Sequence, residues 1–205
     1  CMRIEEHHGG RGLFARRRSV RLGVSAVLTL FLQACIELIV LDGQSNAAII
    51  IPESAPSEIT RAAKELQTYI HKTSGAKVPI RDDTDSAPER VEIHLRVAPP
   101  AVRTSDNATT HVEHRDGYRI RSGGDTITIT GGSPRGTLYG VYDFIERALG
   151  VRWFMPTDLG EDVLETPTIP VPELDFVKNP AFPDVSGFIW AGGPGAEDWE
   201  LRMRL

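Results

Sequence analysis

The stretch DTITITGGSPRGTLYGVYDFIERALG, residues 125–150, constrains the fold of this chain more than any other part of the sequence. Thr and Ile alternate through "TITIT", residues 126–130, and this is the period of a half-buried β-strand. Ser133 is a good helix N-cap, and Pro134 suits the first helical position, where its missing N–H costs nothing. Gly150 ends the predicted helix. The helix carries an apolar stripe of Leu138, Val141, Tyr142, Ile145 and Leu149. A strand followed directly by an amphipathic helix predicts a helix packed on a sheet.

The glycines of this stretch raise the alternative of a phosphate-binding loop, because such loops also join a strand to a helix N-terminus. The dinucleotide-binding pattern fails, since Ser133 stands where its second Gly belongs. The P-loop pattern also fails, because Gly131 and Gly136 have the right spacing but Thr137 follows without a Lys. We therefore predict that Gly136 and Gly140 let the helix lie close to the sheet, and that no nucleotide cofactor binds.

The rest of the chain to residue 155 predicts a second helix and further strands. Residues 57–75 have helical spacing, with Ser57 as the candidate cap and Gly75 as the C-terminal stop. Its apolar face is Ile59, Ala62, Ala63, Leu66 and Ile70. The predicted strands lie at 36–52 around the turn Asp42-Gly43, at 76–80, at 91–97, at 117–132 as a hairpin around Ser122-Gly123-Gly124, and in "VRWFMP". Residues 81–90 and 98–116 are expected to be polar connections.

The C-terminal quarter differs in composition. Residues 156–180 contain five prolines and predict an extended linker. "SGFIW" then predicts a new strand and "GAEDWELRMRL" a new helix. The sequence thus predicts an α/β (α+β) sandwich over 35–155, in which a mixed sheet carries two amphipathic helices, followed by a linker and the start of another unit at 181–205.

The N-terminus predicts export. Arginines precede "LGVSAVLTLFLQA", an apolar run with the length of a signal-peptide core and short for a membrane span. The run ends in "LQAC", which resembles the lipobox of bacterial lipoproteins, so Cys35 is the candidate lipidation site and residues 1–34 the signal peptide. The alternatives are a buried Cys35 with cleavage elsewhere, an uncleaved anchor, or twin-arginine export through "RRSVR".

The charge of the remainder excludes several classes of protein. Residues 1–34 hold six Arg and two Glu, so the rest carries 17 basic and 26 acidic side chains, a net charge of −9. An acidic exported domain repels phosphates, so no nucleic acid partner is expected. Cys35 is the one cysteine left once Cys1 is removed, which excludes a disulfide framework and a cysteine zinc site.

Three segments carry a family resemblance: "DGYRI", "GGSPRGTLYGVYDFIERALGVRWFMP" and "NPAFPDVSGFIW". Together with "AAKELQTYIHKTSGAKVPI" they resemble the N-terminal domain of bacterial α-glucuronidases, the second domain of β-N-acetylhexosaminidases and a related uncharacterised family of secreted bacterial proteins. The resemblance implies an α/β sandwich without catalytic residues, ahead of a catalytic (β/α)8 barrel. "SGFIW" would then be the first barrel strand and "EDWELRMRL" part of its first helix, cut short. A barrel needs all its strands to close, so residues 181–205 are expected to lack packing partners. The ending "DWELRMRL" resembles the W-x-x-R-x-R run of the uncharacterised family, whereas Val185 and Ser186 replace the aromatic and Arg that often precede the strand.

Catalytic and metal-binding residues are not predicted within these 205 residues. Glycoside hydrolysis needs paired carboxyl groups, or one acid with a substrate acetamido group. "DDTD" lacks the Gly and Glu of a calcium loop, and His111 with His114 lacks a third zinc ligand. The carboxylates are interpreted as solvated charges: Asp82, Asp83, Asp85, Asp158, Glu161, Asp162, Glu197, Asp198 and Glu200.

Two tryptophans receive separate interpretations. Trp190 ends the predicted barrel strand, where barrel active sites lie, so it could stack on a sugar ring; the alternative is packing under the domain interface. Trp153 is predicted to lie in the domain core or against the barrel. The resulting expectation is an N-terminal scaffold domain of an exported glycoside hydrolase with a glycan substrate and a lipid anchor. The alternative is a surface lipoprotein that binds carbohydrate without hydrolysing it.

Overall fold

The structure is a computed structural model that describes residues 36–85, 89–99, 112, 114–181 and 193–204. Most strands are short, and the two long helices lie between them in the sequence. The strands are β1 (Leu38–Leu41), β2 (Gln44–Ser45), β3 (Ala47–Ile51), β4 (Ile80–Asp82), β5 (Val91–Val97), β6 (Tyr118–Gly123), β7 (Thr126–Gly131), β8 (Arg152–Trp153), β9 (Glu161–Asp162), β10 (Ile169–Pro170) and β11 (Leu174–Lys178). The helices are α1 (Ser57–Ser74), α2 (Pro134–Ala148) and α3 (Ala196–Arg202), and a 3₁₀ turn spans Asp158–Gly160.

A mixed six-stranded sheet forms the centre, in the order β11-β6-β7-β5-β3-β4. The strands β4, β3, β5 and β7 run parallel, and β6 pairs antiparallel with both of its neighbours, β7 and β11. Both long helices pack on this sheet and on each other. The predicted α/β sandwich, a mixed sheet with two amphipathic helices, is therefore confirmed.

The main core lies between the helices and one face of the sheet, as the alternating burial along β5 and β7 shows. Val91, Ile93 and Leu95 of β5 are fully buried, while Glu92 and His94 between them are partly exposed. Ile127 and Ile129 continue the same buried layer on β7. The predicted alternation of 91–97 and 126–130 is therefore confirmed.

Helix α1 buries the face predicted for it and ends as predicted. Gly75 has φ +78 and donates its N–H to the His71 carbonyl, which is the left-handed C-terminal stop. The prediction that Ser57 caps the helix is wrong: Pro56 is the N-cap, and the Ser57 hydroxyl donates to the Glu58 carboxylate instead. The fully buried face is Ile59, Ala62, Ala63, Leu66 and Ile70.

Helix α2 begins and packs as the sequence predicts. The Ser133 side chain accepts a hydrogen bond from the Gly136 N–H at 3.1 Å, and Pro134 is the first helical residue. Gly150, with φ +73, follows the end of the helix. The five residues of the predicted stripe are all buried: Leu138, Val141, Tyr142, Ile145 and Leu149.

The turns differ only slightly from the prediction. Asp42 and Gly43, with φ +49 and +76, join β1 to β2 in the geometry that tight hairpins favour. The β6–β7 turn lies at Gly124 and Asp125, one residue later than predicted. The strand predicted at 76–80 begins only at Ile80 and continues to Asp82, inside the predicted polar loop.

The segment 156–180 requires a correction. The sequence predicts an extended linker, but β10 pairs with β1, β9 pairs with β8 and β11 adds an edge strand to the central sheet beside β6. Proline is compatible with edge strands, because their outer N–H groups need no partner. The sandwich therefore continues to Lys178 instead of ending near residue 155.

Several predictions concern residues outside the described ranges. These are the signal peptide, Cys35, most of the 98–116 connection, the strand "SGFIW" and Trp190. The predicted helix near the C-terminus corresponds to α3. Within the described ranges, the longest helix is too short or too polar to cross a lipid bilayer.

Candidate functional site

The most elaborate group of polar side chains surrounds Glu161. Its side chain is only 7% exposed, although the sequence suggests a solvated charge. One carboxylate oxygen accepts from the Tyr69 hydroxyl at 2.5 Å and from Arg202 at 3.2 Å, and the other accepts from Lys72 at 2.5 Å. Strand β9 pairs with β8 so that Glu161 lies opposite Trp153, and this pairing brings the carboxylate to α1. We call Tyr69, Trp153, Glu161 and Arg202 the Glu161 cluster.

Trp153 anchors this cluster in the core. It is 4% exposed, which confirms its predicted core position. Its indole N–H donates to the Tyr69 hydroxyl at 2.8 Å, and the two rings meet edge to face at 5.3 Å. The Tyr69 hydroxyl thus accepts from Trp153 and donates to Glu161, which fixes the orientation of all three side chains.

Arg202 brings the C-terminal helix into the cluster. Its guanidinium pairs with Glu161 at 3.2 Å and with Glu65 of α1 at 3.6 Å, and it lies within 6 Å of the Tyr69 and Trp153 rings. Favourable cation–ring geometry adds to the ion pairs. The sequence predicts no packing partners for 181–205; for the described part, residues 193–204, this prediction is wrong.

Two more arginine pairs hold α3 on the sandwich. Arg204 pairs with Glu146 of α2 at 2.6 Å, and Arg61 of α1 pairs with Asp198 of α3 at 2.6 Å. Trp199 and Leu201 pack against the hydrophobic core. The W-x-x-R-x-R run therefore supplies the residues that attach this helix to the domain.

The two carboxyl groups that pair with Arg202, those of Glu65 and Glu161, have opposite pKa shifts. Burial raises the pKa of Glu65 above the ordinary value, and the nearby Arg202 offsets this only in part. Burial opposes ionisation of Glu161 too, but the hydrogen bonds from Lys72 and Tyr69 outweigh it and lower the pKa of this carboxyl. Burial, reinforced by the bond to Glu161, raises the pKa of Tyr69.

Two carboxyl groups with opposite pKa shifts resemble the acid and base of a glycosidase. A catalytic base, however, must present an oxygen to water or substrate. Glu161 is surrounded by Tyr69, Lys72 and Arg202, so its oxygens are occupied. A cleft of about 360 Å³ lies among the three helices, but Glu65 and Glu161 do not line it; Glu58, Arg61, Arg135, Leu138, Glu197, Glu200 and Leu201 do. The cluster is built to hold α3 in place.

Several backbone donors of the glycine-rich loop are already used within the chain. The Thr137 N–H donates to the Ser133 carbonyl, the Gly131 N–H to the Thr137 hydroxyl, and the Gly132 N–H to the Gly117 carbonyl. A Cβ on Gly136 would lie 2.5 Å from the Gly117 carbonyl oxygen. The loop is filled by its own chain, in agreement with the packing role predicted for the glycines.

The other candidate ligands that the structure describes make hydrogen bonds or ion pairs within the chain. The Asp82 carboxylate accepts hydrogen bonds from Thr84, and Asp85 pairs with Arg81. The His114 ring accepts from the Asp116 N–H, while His111 lies outside the described residues. Across 36–85, 89–99, 114–181 and 193–204, no group of three or more His, Cys, Asp or Glu could hold a metal ion.

The central sheet and the two long helices form an α/β domain, and the Glu161 cluster attaches α3 to this domain. The sequence profile described as "Glycosyl hydrolase family 20, domain 2" matches residues 40–144, half of the chain. The chain belongs to this family and is a glycoside hydrolase-associated domain. No curated protein matches it.

Solved structures add fold similarity at low sequence identity. A GH115 4-O-methyl-α-glucuronidase with specificity for decorated arabinogalactans is 16% identical with a TM-score of 0.52, covering 71% of this chain and 18% of that chain. The GH20 β-N-acetylhexosaminidase of Streptomyces coelicolor A3(2) is 18% identical with a TM-score of 0.46, covering 71% and 24%. A β-hexosaminidase of Streptomyces plicatus is 16% identical with a TM-score of 0.42, covering 72% and 24%. This chain therefore spans less than a quarter of the length of these relatives.

Proposed function

We propose that this chain is the non-catalytic N-terminal scaffold domain of an exported glycoside hydrolase that acts on glycans or polysaccharides. Its place in the family supports an association with glycoside hydrolysis. The occupied oxygens of Glu161 support a structural role. Asp143 is a second carboxylate that is both strongly buried and ion-paired. Its Oδ2 lies 3.0 Å from Arg147 Nε. In this proposal, the acid and base of the enzyme lie on a further (β/α)8 barrel domain.

The proposal predicts that the purified 205-residue chain releases no nitrophenol from aryl β-N-acetylglucosaminides or aryl glucuronides. The reason is that its buried carboxylates are neutralised by Arg and Lys and are not open to substrate. For comparison, the same assay is run on the polypeptide extended to the end of its gene. Turnover by the 205-residue chain that Glu65→Gln or Glu161→Gln abolishes would refute the scaffold role.

Export and anchoring form the second part of the proposal, with Cys35 as the lipidated residue. In a bacterial host, the wild-type chain should incorporate a fatty-acid analogue and sediment with membranes. Cys35→Ser should lose the label and leave the membrane fraction or remain unprocessed, since a serine hydroxyl cannot accept the thioether-linked lipid. Cys1→Ser is the matched control and should label normally. Equal labelling of Cys35→Ser and the wild type would show that the anchor is elsewhere or absent.

A further inference from the structure

One short segment concentrates exposed apolar side chains. Phe154, Met155, Leu159 and Leu164 are 70%, 53%, 92% and 69% exposed, and all lie within residues 154–164. We call these four residues the apolar ridge. Single exposed apolar residues are ordinary on protein surfaces, but a concentration of large ones marks an interaction surface.

The backbone that carries the apolar ridge is fixed by the buried Trp153 and by close contacts within its loop. Trp153 is buried, so the strand alternation turns its neighbour Phe154 to the outside. The Phe154 N–H donates to the Gly160 carbonyl at 2.8 Å, and a Cβ on Gly160 would lie 2.2 Å from the Met155 carbonyl oxygen. The loop is thus closed tightly on itself, and it presents its apolar side chains outward on a fixed backbone.

The ridge continues into the surface where α3 is attached. A Cβ on Gly195 would lie 3.5 Å from the Thr157 backbone nitrogen, and Glu161 of the same segment binds Arg202. Residues 157–161 and α3 therefore lie side by side on the domain.

The charges around the ridge indicate the kind of partner. Asp158, Asp162 and Glu165 are exposed between the apolar residues. Acidic groups are repelled by the anionic surface of a membrane, which makes a lipid partner unfavourable. An apolar centre with a polar rim is the composition of a protein–protein interface.

We propose that the apolar ridge is the docking surface for a further domain of the same polypeptide. This inference rests on the proposed function, in which a catalytic domain follows the scaffold. The chain spans 18% of the glucuronidase chain whose fold it shares, and the helix attached beside the ridge is its last described element. A domain that continues from α3 would emerge next to the ridge and could cover it.

Cysteine accessibility tests this placement, because the sequence after Cys35 contains no cysteine. Leu159→Cys is made in a Cys1→Ser, Cys35→Ser background, both in the 205-residue chain and in the polypeptide extended to the end of its gene. The rate of reaction with a maleimide is measured in each. Asp125→Cys, at the exposed β6–β7 turn, is the matched control.

We expect Leu159→Cys to react rapidly in the 205-residue chain and at least about tenfold more slowly in the extended one, because the thiol must wait for the interface to open. Asp125→Cys should react at the same rate in both. Equal rates for Leu159→Cys, or a gene that ends at Leu205, would overturn the inference. Slower reaction of Leu159→Cys in the 205-residue chain at higher protein concentration would overturn the inference in favour of self-association. Slower reaction in the presence of phosphatidylglycerol vesicles would overturn it in favour of lipid binding.

Glycosidase activity is measured separately on the extended polypeptide. Activity with an unprotected ridge would contradict this inference and leave the proposed function standing. A protected ridge with no activity on any glycoside would support the docking surface and contradict the proposed function.

Discussion

Replacing Glu161 with alanine is expected to lower the free energy of unfolding by about 3 kcal/mol, the lower end of the range for breaking a buried ion pair. The change removes the acceptor of Tyr69, Lys72 and Arg202 together. Lys72 is 39% exposed and can turn to water, but Arg202 is 17% exposed and keeps only Glu65. Urea unfolding of the purified chain, followed by far-UV circular dichroism, measures the difference.

The adjacent residue of β9 provides the control. Asp162 is exposed, so Asp162→Ala should change the unfolding free energy by no more than about 0.5 kcal/mol. If Glu161→Ala is as mild as Asp162→Ala, the cluster does not stabilise the domain. Arg202→Ala should also loosen α3, and faster amide exchange in residues 196–204 would report this directly.

The pH dependence of the same variants tests the direction of the Glu161 shift. Because its pKa is lower in the folded state than the ordinary 4.5, ionised Glu161 stabilises the fold above that value. This stabilisation is lost as the pH falls through the folded pKa. The stability difference between wild type and Glu161→Gln should therefore shrink in acid. Glu65, whose pKa is raised in part by the nearby charge of Glu161, acts in the opposite direction, so both proteins carry Glu65→Gln in this comparison. A difference that grows in acid would contradict the assigned shift.

The two helices and the central strands could be predicted because their signals are local. The stripe of α2 and its Ser133 cap depend on residues within a few positions of each other, and the structure confirms them. The same holds for the alternation in β5 and β7. A resemblance to glycoside hydrolase domains, visible in the block from Gly131 to Pro156, agrees with the family to which the chain belongs.

The Glu161 cluster could not be predicted because its partners are far apart in sequence. Tyr69 and Glu161 are 92 positions apart, and Tyr69 and Trp153 are 84 apart. Five prolines in 156–180 favour a linker, and a linker makes its carboxylates look solvated. Predicting that Glu161 is buried would have required knowing that β8 pairs with β9, because this pairing turns Glu161 inward. Arg202 and Arg204, near the end of α3, were the one local sequence signal that this helix packs against the rest of the domain.

Substituting Gly140 with leucine is expected to lower the unfolding free energy by about 2–3 kcal/mol, because overpacking a filled core forces side chains and backbone to move. A Cβ at this position would lie 2.7 Å from the Ile129 methyl group and 3.2 Å from the Tyr118 Cβ, so the helix must shift off the sheet. Leucine is a better helix former than glycine by roughly 0.8 kcal/mol, which offsets part of the loss. Thermal and urea unfolding of the purified chain measure the net effect.

Two substitutions separate packing from any role in ligand binding. Gly123→Ala places a Cβ where no heavy atom lies within 4 Å, so it should be nearly neutral, and it controls for adding a side chain to a glycine. Arg135→Ala removes a hydrogen bond to the Tyr139 hydroxyl on the same helix and should cost no more than about 1 kcal/mol. Calorimetric titration of the wild-type chain with ATP should show no binding, because the Gly131, Gly132 and Thr137 N–H groups already donate within the chain. ATP binding that Arg135→Ala or Gly140→Leu abolishes without loss of stability would show that this segment binds a phosphate.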